Sequence, residues 1–470
     1  MNKLIVSTGI ILAVILIMTI IYRLVNILPP DGISKDTQAM AILNDASCAT
    51  CHRKNSTLPF YAAFPVLGNR VGNERGILHF NIDGTVEKIG RGEMINEVTL
   101  AKIEMTTTVT GAMPPMTYNL IHWGSSITPA KQKILKEWIK SHREAFYPNL
   151  TATDRFRYEP VRPLPSSWPV DRNKALLGEK LFHDTRLSSD NTLSCFSCHN
   201  LQTGGVDKKQ YPEGIGKILG KVNTPTIYNA CFNHSQGWDG HAVNLKSQTA
   251  GHLLSPCEMA NRSFNDILKK LRKDRELKHT FEKLYREGIT ETAIADAIET
   301  FEKTLLTPDC RFDKYLRGEE QILDKDEIRG YELFKSNKCA TCHTGVILGG
   351  QSCEIMGLYK NYFNDRGWDL TKEDLGRFNQ TADEYDRHRF KVPGLRNVAL
   401  TKPYFHDGSR QTIYDAVKMM GIYQSGRSIN DEEIRAIVAF LETLTGLPPT
   451  TGEKAELKEK TAARDPETKP

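Results

Sequence analysis

Cys48-Ala-Thr-Cys51-His52, Cys195-Phe-Ser-Cys198-His199 and Cys339-Ala-Thr-Cys342-His343 are three Cys-x-x-Cys-His strings in one chain of 470 residues. With 10 Cys and 13 His, composition alone gives about 0.006 such strings by chance, so three of them decide the reading. In each, the two thiols suit thioether bonds to haem vinyl groups, and the adjacent His suits the proximal iron site. A zinc site needs a second ligand pair of similar spacing, and none stands near any of the three. A thioredoxin-type redox pair does not need the trailing His. The cofactor implied is three covalently bound haem c groups.

The spacing outward from these strings is regular. Cys48 to Cys195 is 147 residues and Cys195 to Cys339 is 144, a domain-sized period. Related segments, Leu177-Gly-Glu-Lys-Leu-Phe182 and Arg329-Gly-Tyr-Glu-Leu-Phe334, precede the second and third strings. Each module closes on an amphipathic helix pattern. These are Ile134, Leu135, Trp138 and Ile139 after Thr128-Pro129, then Ile294, Ala297, Ile298, Phe301 and Leu305. The third is Ile434, Ile437, Val438, Leu441 and Leu444 after Asn430. The fold class expected is mainly α, with one N-terminal transmembrane helix followed by three cytochrome c-like haem domains. The expected organisation is a membrane anchor over 1–26, a monohaem domain over 27–150 and a Pro-rich linker over 151–167. A second haem domain over 168–310, a third over 311–447 and a disordered charged tail over 448–470 complete it.

Hydrophobic residues are 39% and charged residues 25%, a globular balance that excludes wholesale disorder. A net charge of +5 without any Lys/Arg-rich run excludes nucleic acid as a partner. Leu4 to Tyr22 is uncharged over 19 residues between Lys3 and Arg23, roughly 28 Å as a helix. Ile21-Tyr22-Arg23-Leu24 follows where a small-residue cleavage site would stand, which favours an uncleaved anchor over a signal peptide. The flanking charges are symmetric, but haem c is attached outside the inner membrane. The expected location is therefore the inner membrane, with the haem domains in the periplasm.

From Trp168 to Leu447 the chain resembles the bacterial di-haem cytochrome c peroxidases. The likeness is carried by Asn223-Thr-Pro-Thr-Ile-Tyr-Asn229, Trp238-Asp-Gly240, Gln248 with Glu258-Met259, Lys391-Val-Pro-Gly-Leu-Arg-Asn397 and Pro403-Tyr-Phe-His-Asp-Gly408. With the added N-terminal module it is similar to the membrane-anchored tri-haem subgroup, the quinol or cytochrome c peroxidases. The resemblance implies that the second haem (Cys195, Cys198, His199) reduces hydrogen peroxide. It makes Glu258 the acid/base, Gln248 the group orienting peroxide, and Trp238 the aromatic between the two haems. Elementary chemistry agrees, since breaking O–O heterolytically requires moving a proton from the near to the far oxygen. The family carries a loop histidine that plugs the oxidised peroxidatic iron. Ile215 stands at that position, and Gln210 to Val222 holds no His. An open oxidised iron is expected, unless His234, His241 or His252 serves instead.

For the third haem (Cys339, Cys342, His343) the resemblance places the sixth ligand at Met420, fourteen residues beyond His406, and leaves Met419 to the core. It also matches Asn223, Thr401 and Pro403 to an interdomain calcium site. The first haem (Cys48, Cys51, His52) lies outside the resemblance. Met113 is favoured as its sixth ligand, then Met116, with His79 and His122 as alternatives. Cys231, Cys257, Cys310 and Cys353 permit two disulfides or four free thiols. Membrane quinol, favoured by the anchor, or a cytochrome c is the expected electron donor. Two other functions compete. One is a non-enzymatic tri-haem electron carrier; the other is a protein-modifying di-haem oxidase, a group that has Tyr where Met420 stands.

Overall fold

The computed structural model describes residues 2–53, 82, 84–446 and 448. The expected tail, apart from residue 448, and His79 lie outside the described residues. The chain forms two compact units, Met1–Leu150 and Thr151–Pro470.

In the first unit, helix α1 (Asn2–Val25) is the N-terminal apolar stretch. Among the described residues no helix is long and apolar enough to cross a membrane. The expected single-pass anchor over 1–26, and the inner-membrane location drawn from it, are corrected accordingly. Helix α2 (Lys35–Asp45) starts where Ser34 Oγ accepts the Thr37 amide at 3.1 Å. Helix α3 (Pro129–Phe146) starts at Thr128, with Pro129 in its first turn, as its sequence pattern implies. Leu135, Trp138 and Ile139 meet Ala39, Ile42 and Leu43 of α2 in one core with Ile89, Leu100 and Ile103. Arg143 is buried there against Glu97 at 3.0 Å and Glu104 at 2.7 Å.

The second unit is built on two like helix crossings. Helix α4 (Arg172–Phe182) packs on α6 (Glu291–Glu302), with α5 (Leu245–Leu254) against α6. Helix α7 (Lys325–Ser336) packs on α9 (Asp431–Glu442), with α8 (Ile413–Met420) against α9. The repeated segments explain the crossings. A Cβ at Gly178 would strike the Ala297 carbonyl and Phe301, and one at Gly330 would strike the Ala436 carbonyl and Phe440. Each crossing therefore brings backbone onto backbone, which only glycine permits.

The second and third haem regions of the sequence both lie in the second unit. The two halves meet at a buried junction. Asn229 and Asn397, both left-handed at φ 61°, each donate Nδ2–H to Thr307 Oγ1, at 2.9 and 2.8 Å. Asn229 Oδ1 accepts the Thr307 amide and Asn397 Oδ1 accepts the Gly446 amide, both at 3.0 Å. Arg396 is fully buried against Asp313 at 2.6 Å. Strand β1 (Cys353–Ile355) pairs antiparallel with β2 (Arg389–Lys391), Cys353 opposite Lys391. The Pro-rich stretch is built in as well. Ala152, Phe156 and Val161 are buried with Phe312, Tyr331 and Phe440, and Glu159 accepts from Tyr331 Oη at 2.7 Å.

Gly178→Ala and Gly330→Ala should each lower unfolding stability by about 1–3 kcal/mol, the usual overpacking cost. Urea titration of each variant measures it, and an unchanged midpoint for both would contradict the close crossing.

Candidate haem sites and the distal segment

Each Cys-x-x-Cys-His string makes one tight turn that brings its His back over the first Cys. His52 N–H donates to Cys48 O at 3.0 Å, His199 N–H to Cys195 O at 2.9 Å and His343 N–H to Cys339 O at 3.0 Å. At the second string, Ser194 and Ser197 cap the turn reciprocally. His199 Nδ1 lies 3.2 Å from Gly205 O, and His343 Nδ1 lies 3.0 Å from Leu348 O. A carbonyl only accepts, so each Nδ1 carries the proton and each Nε2 keeps a lone pair for iron. Burial, reinforced by the nearby His252, pushes His199 down to about 4, which keeps the ring neutral. Burial likewise lowers His343. Burial pushes the thiols of Cys48, Cys195 and Cys339 up to about 12 and Cys198 up to about 11. These residues fit covalently bound haem c.

Gln248 and His252 stand four apart on α5, hence on one face of the helix. The chain then folds back tightly. Glu258 N–H and Ala260 N–H both donate to Ser255 O, at 3.1 and 2.9 Å, and Asn261 Nδ2 reaches Leu253 O at 2.8 Å. This return brings Glu258 Oε2 to 2.6 Å from His252 Nδ1. Burial raises the Glu258 carboxyl, but the His252 hydrogen bond and charge, with Ser255 and His199, outweigh it and leave the group below its ordinary value. Ile215 N–H donates to Glu258 O at 3.0 Å, so the loop without a histidine is pinned to the same segment. His241 is bound to Asp239 at 2.6 Å, and His234 lies 3.1 Å from Gly350 O. What separates His252 from these two in the sequence is its i+4 spacing from Gln248.

Trp238 is stitched between the halves of the unit. Its Nε1–H donates to Asn223 O at 2.7 Å, and its carbonyl accepts the Lys391 amide at 2.7 Å. His406 O accepts the Asn223 amide at 2.8 Å, while His406 Nε2 meets Asp374 Oδ1 at 2.8 Å and its ring stacks on Phe390 at 4.2 Å. Asp374 also takes the fully buried Arg366 guanidinium.

Met419 packs with Tyr362, Phe363, Phe390 and Tyr423, leaving Met420 half-buried at the end of α8. In the first unit Met113 is half-buried, Met116 is 76% exposed, and His122 stacks on Tyr118 at 4.2 Å. Asn223 Nδ2–H donates to Lys209 O at 2.8 Å and Thr401 Oγ1–H to Val398 O at 3.1 Å. Among the described residues no hydrogen bond joins Asn223 to Thr401 or Pro403. Cys231, Cys257, Cys310 and Cys353 are free thiols. Burial pushes Cys231 up to about 12 and Cys310 up to about 11, and it raises Cys353.

Residues 172–321 match the family model described as di-haem cytochrome c peroxidase. The chain is 41% identical over 418 residues to the cytochrome c peroxidase Ccp of Escherichia coli (strain K12), covering 88% of this chain and 89% of that one. The chain belongs to the bacterial di-haem cytochrome c peroxidase family. It is a peroxidase, an oxidoreductase with a haem electron relay and haem c cofactors. It is also 42% identical over 293 residues to the cytochrome c551 peroxidase of Nitrosomonas europaea, across 62% of this chain and 85% of that one. Among solved structures, a MauG-like protein associated with microbial copper homeostasis superposes with a TM-score of 0.54. It is 28% identical and covers 60% of this chain and 93% of its own.

The matches correct the expected architecture further. Residues 328–445 match a cytochrome c model, whereas residues 28–141 match a model described only as a haem-binding domain. Two cytochrome c-type regions make the di-haem family core, and the first unit is not a third copy of them.

Arg366 and His406 hold the Asp374 carboxyl well below the usual carboxylate range, against the effect of its burial. A lowered native value stabilises the fold above the unfolded value near 3.9, and this is lost as pH falls through the native one. Asp374→Asn should therefore cost about 3 kcal/mol at pH 7 and flatten the acid limb of the stability curve. Denaturant titration between about pH 3 and 7 measures both effects.

Proposed function

We propose that the chain reduces hydrogen peroxide to two waters at the haem held by Cys195, Cys198 and His199. The electrons arrive through the haem held by Cys339, Cys342 and His343. The net step consumes one peroxide, two electrons and two protons. A haem iron supplies the redox chemistry of O–O cleavage when bound. The protein's part is proton movement and alignment. Glu258 takes the proton from the near peroxide oxygen and returns it to the far one, and Gln248 orients the substrate by hydrogen bonding. Trp238, tied to both halves of the unit, occupies the path between the haems. A Met420 thioether as sixth ligand suits a relay haem, because it raises the iron's potential.

The observation that carries this reading is the 2.6 Å contact of Glu258 with His252 on the fold-back after α5. It lifts one carboxylate out of 57 acidic residues into a built position. We further assign a third haem c to Cys48, Cys51 and His52 in the first unit, with Met113 as its sixth ligand. A cytochrome c is the favoured donor; the case for membrane quinol rested on the anchor and falls with it.

Glu258→Gln should lower kcat/KM for peroxide by about 100-fold or more with all haems still attached. Steady-state turnover with a reduced cytochrome c checks this, and a loss under about threefold, less than roughly 1 kcal/mol, would remove Glu258 from the role. Haem counting by pyridine haemochrome on denatured protein should give three per chain, and two after Cys48→Ala with Cys51→Ala. A count of two in the unaltered chain would leave the first string empty.

A further inference from the structure

Counted from Asn229 and from Asn397, the two halves of the second unit keep the same register. Asp239-Gly240 and Asp407-Gly408 each begin ten residues on. Helix α5 begins at Leu245 and α8 at Ile413, each sixteen residues on, capped by Asn244 and Thr412. Twenty-three residues after Asn397 stands Met420, the sixth ligand assigned above to the third haem. Twenty-three residues after Asn229 stands His252.

We infer that His252 Nε2 is the sixth ligand of the second haem iron in the oxidised enzyme. Three observations converge on it. The shared frame gives His252 the place in its half that Met420 has in the other. Glu258 Oε2 at 2.6 Å fixes the proton on His252 Nδ1, so Nε2 carries the lone pair. That is the carboxylate–histidine–metal arrangement by which proteins orient ligating imidazoles. Nε2 itself is buried without a hydrogen-bond partner among the described residues. Of the other two nearby histidines, His241 is engaged by Asp239 and His234 by Gly350.

This assignment replaces the open iron implied by Ile215. The resting site is closed from the helix side, and peroxide must displace His252 before Glu258 can act on it. Because Glu258 holds the opposite ring nitrogen, the ring can leave the iron while staying tethered to the acid/base. The inference rests on the second haem being peroxidatic only for that consequence in turnover.

EPR and absorption spectra of the fully oxidised holoprotein test it. The unaltered protein should show no high-spin haem, and His252→Ala should show one per chain, with cyanide association at least about tenfold faster. His252→Met should stay low-spin and gain a near-infrared thioether-to-iron band beyond those of the parent, which a purely structural role would not produce. If the alanine variant fails to assemble, the parent spectrum and the methionine variant decide. One high-spin haem in the oxidised parent would overturn the inference, as would spectra of both variants identical to the parent's. Turnover of Glu258→Gln tests the acid/base role, whereas the spectra of the parent, His252→Ala and His252→Met read ligation alone, so the two readings fail separately.

Discussion

A histidine serves an iron only while one ring nitrogen holds a proton and the other does not, and the second unit depends on meeting that condition repeatedly. His199 and His343 meet it with backbone carbonyls of Gly205 and Leu348. His252 meets it with a carboxylate. The difference matters chemically. A carbonyl is a fixed acceptor that stays with its ring, whereas Glu258 can itself take up a proton, so the tether on His252 responds to the state of the site. Burial supports the same end, because charging these rings would mean placing a cation in a low-dielectric pocket.

The frame that brings these groups together is duplicated. Gly178 under Ala297 and Gly330 under Ala436 set two equivalent helix crossings, and Asn229 and Asn397 meet at one threonine hydroxyl. Since the frame is common, what distinguishes the two halves lies in the segments hung from it. One half presents Gln248, His252 and Glu258; the other presents Met419 in an aromatic cluster and Met420 beside it. Trp238 and His406 then bind the halves through Asn223, so a displacement in either is felt at the same amide.

Haem attachment and the three closing helices were legible in the sequence, because covalent motifs and 3.6-residue periodicity are local. The meaning of the repeated Leu-Gly and Arg-Gly segments was visible only as likeness; the carbonyls that exclude a side chain there come from helices over a hundred residues away. The junction was not legible, since Thr307 has no sequence signal that it will accept from two asparagines. Residues 151–167 read as a linker from their prolines, although Val161 and Leu164 are fully buried. The apolar count over Leu4–Tyr22 suggested a membrane span that the described helix does not bear out. At the distal segment Glu258 was reachable through family likeness alone, and its partner His252 needed the fold-back at Ser255.

The unpaired thiols matter for an enzyme whose substrate is itself an oxidant. Peroxide attacks thiolate, not thiol. At pH 7 an ordinary cysteine near 8.5 is thiolate in about 3 of 100 molecules, whereas one near 12 is thiolate in about 1 of 100,000. Burial pushes Cys231 up to about 12 and, outweighing the Arg396 guanidinium 2.9 Å from its sulfur, Cys310 up to about 11, so both positions favour the thiol. At these two positions burial thus disfavours attack by peroxide without the need for a disulfide.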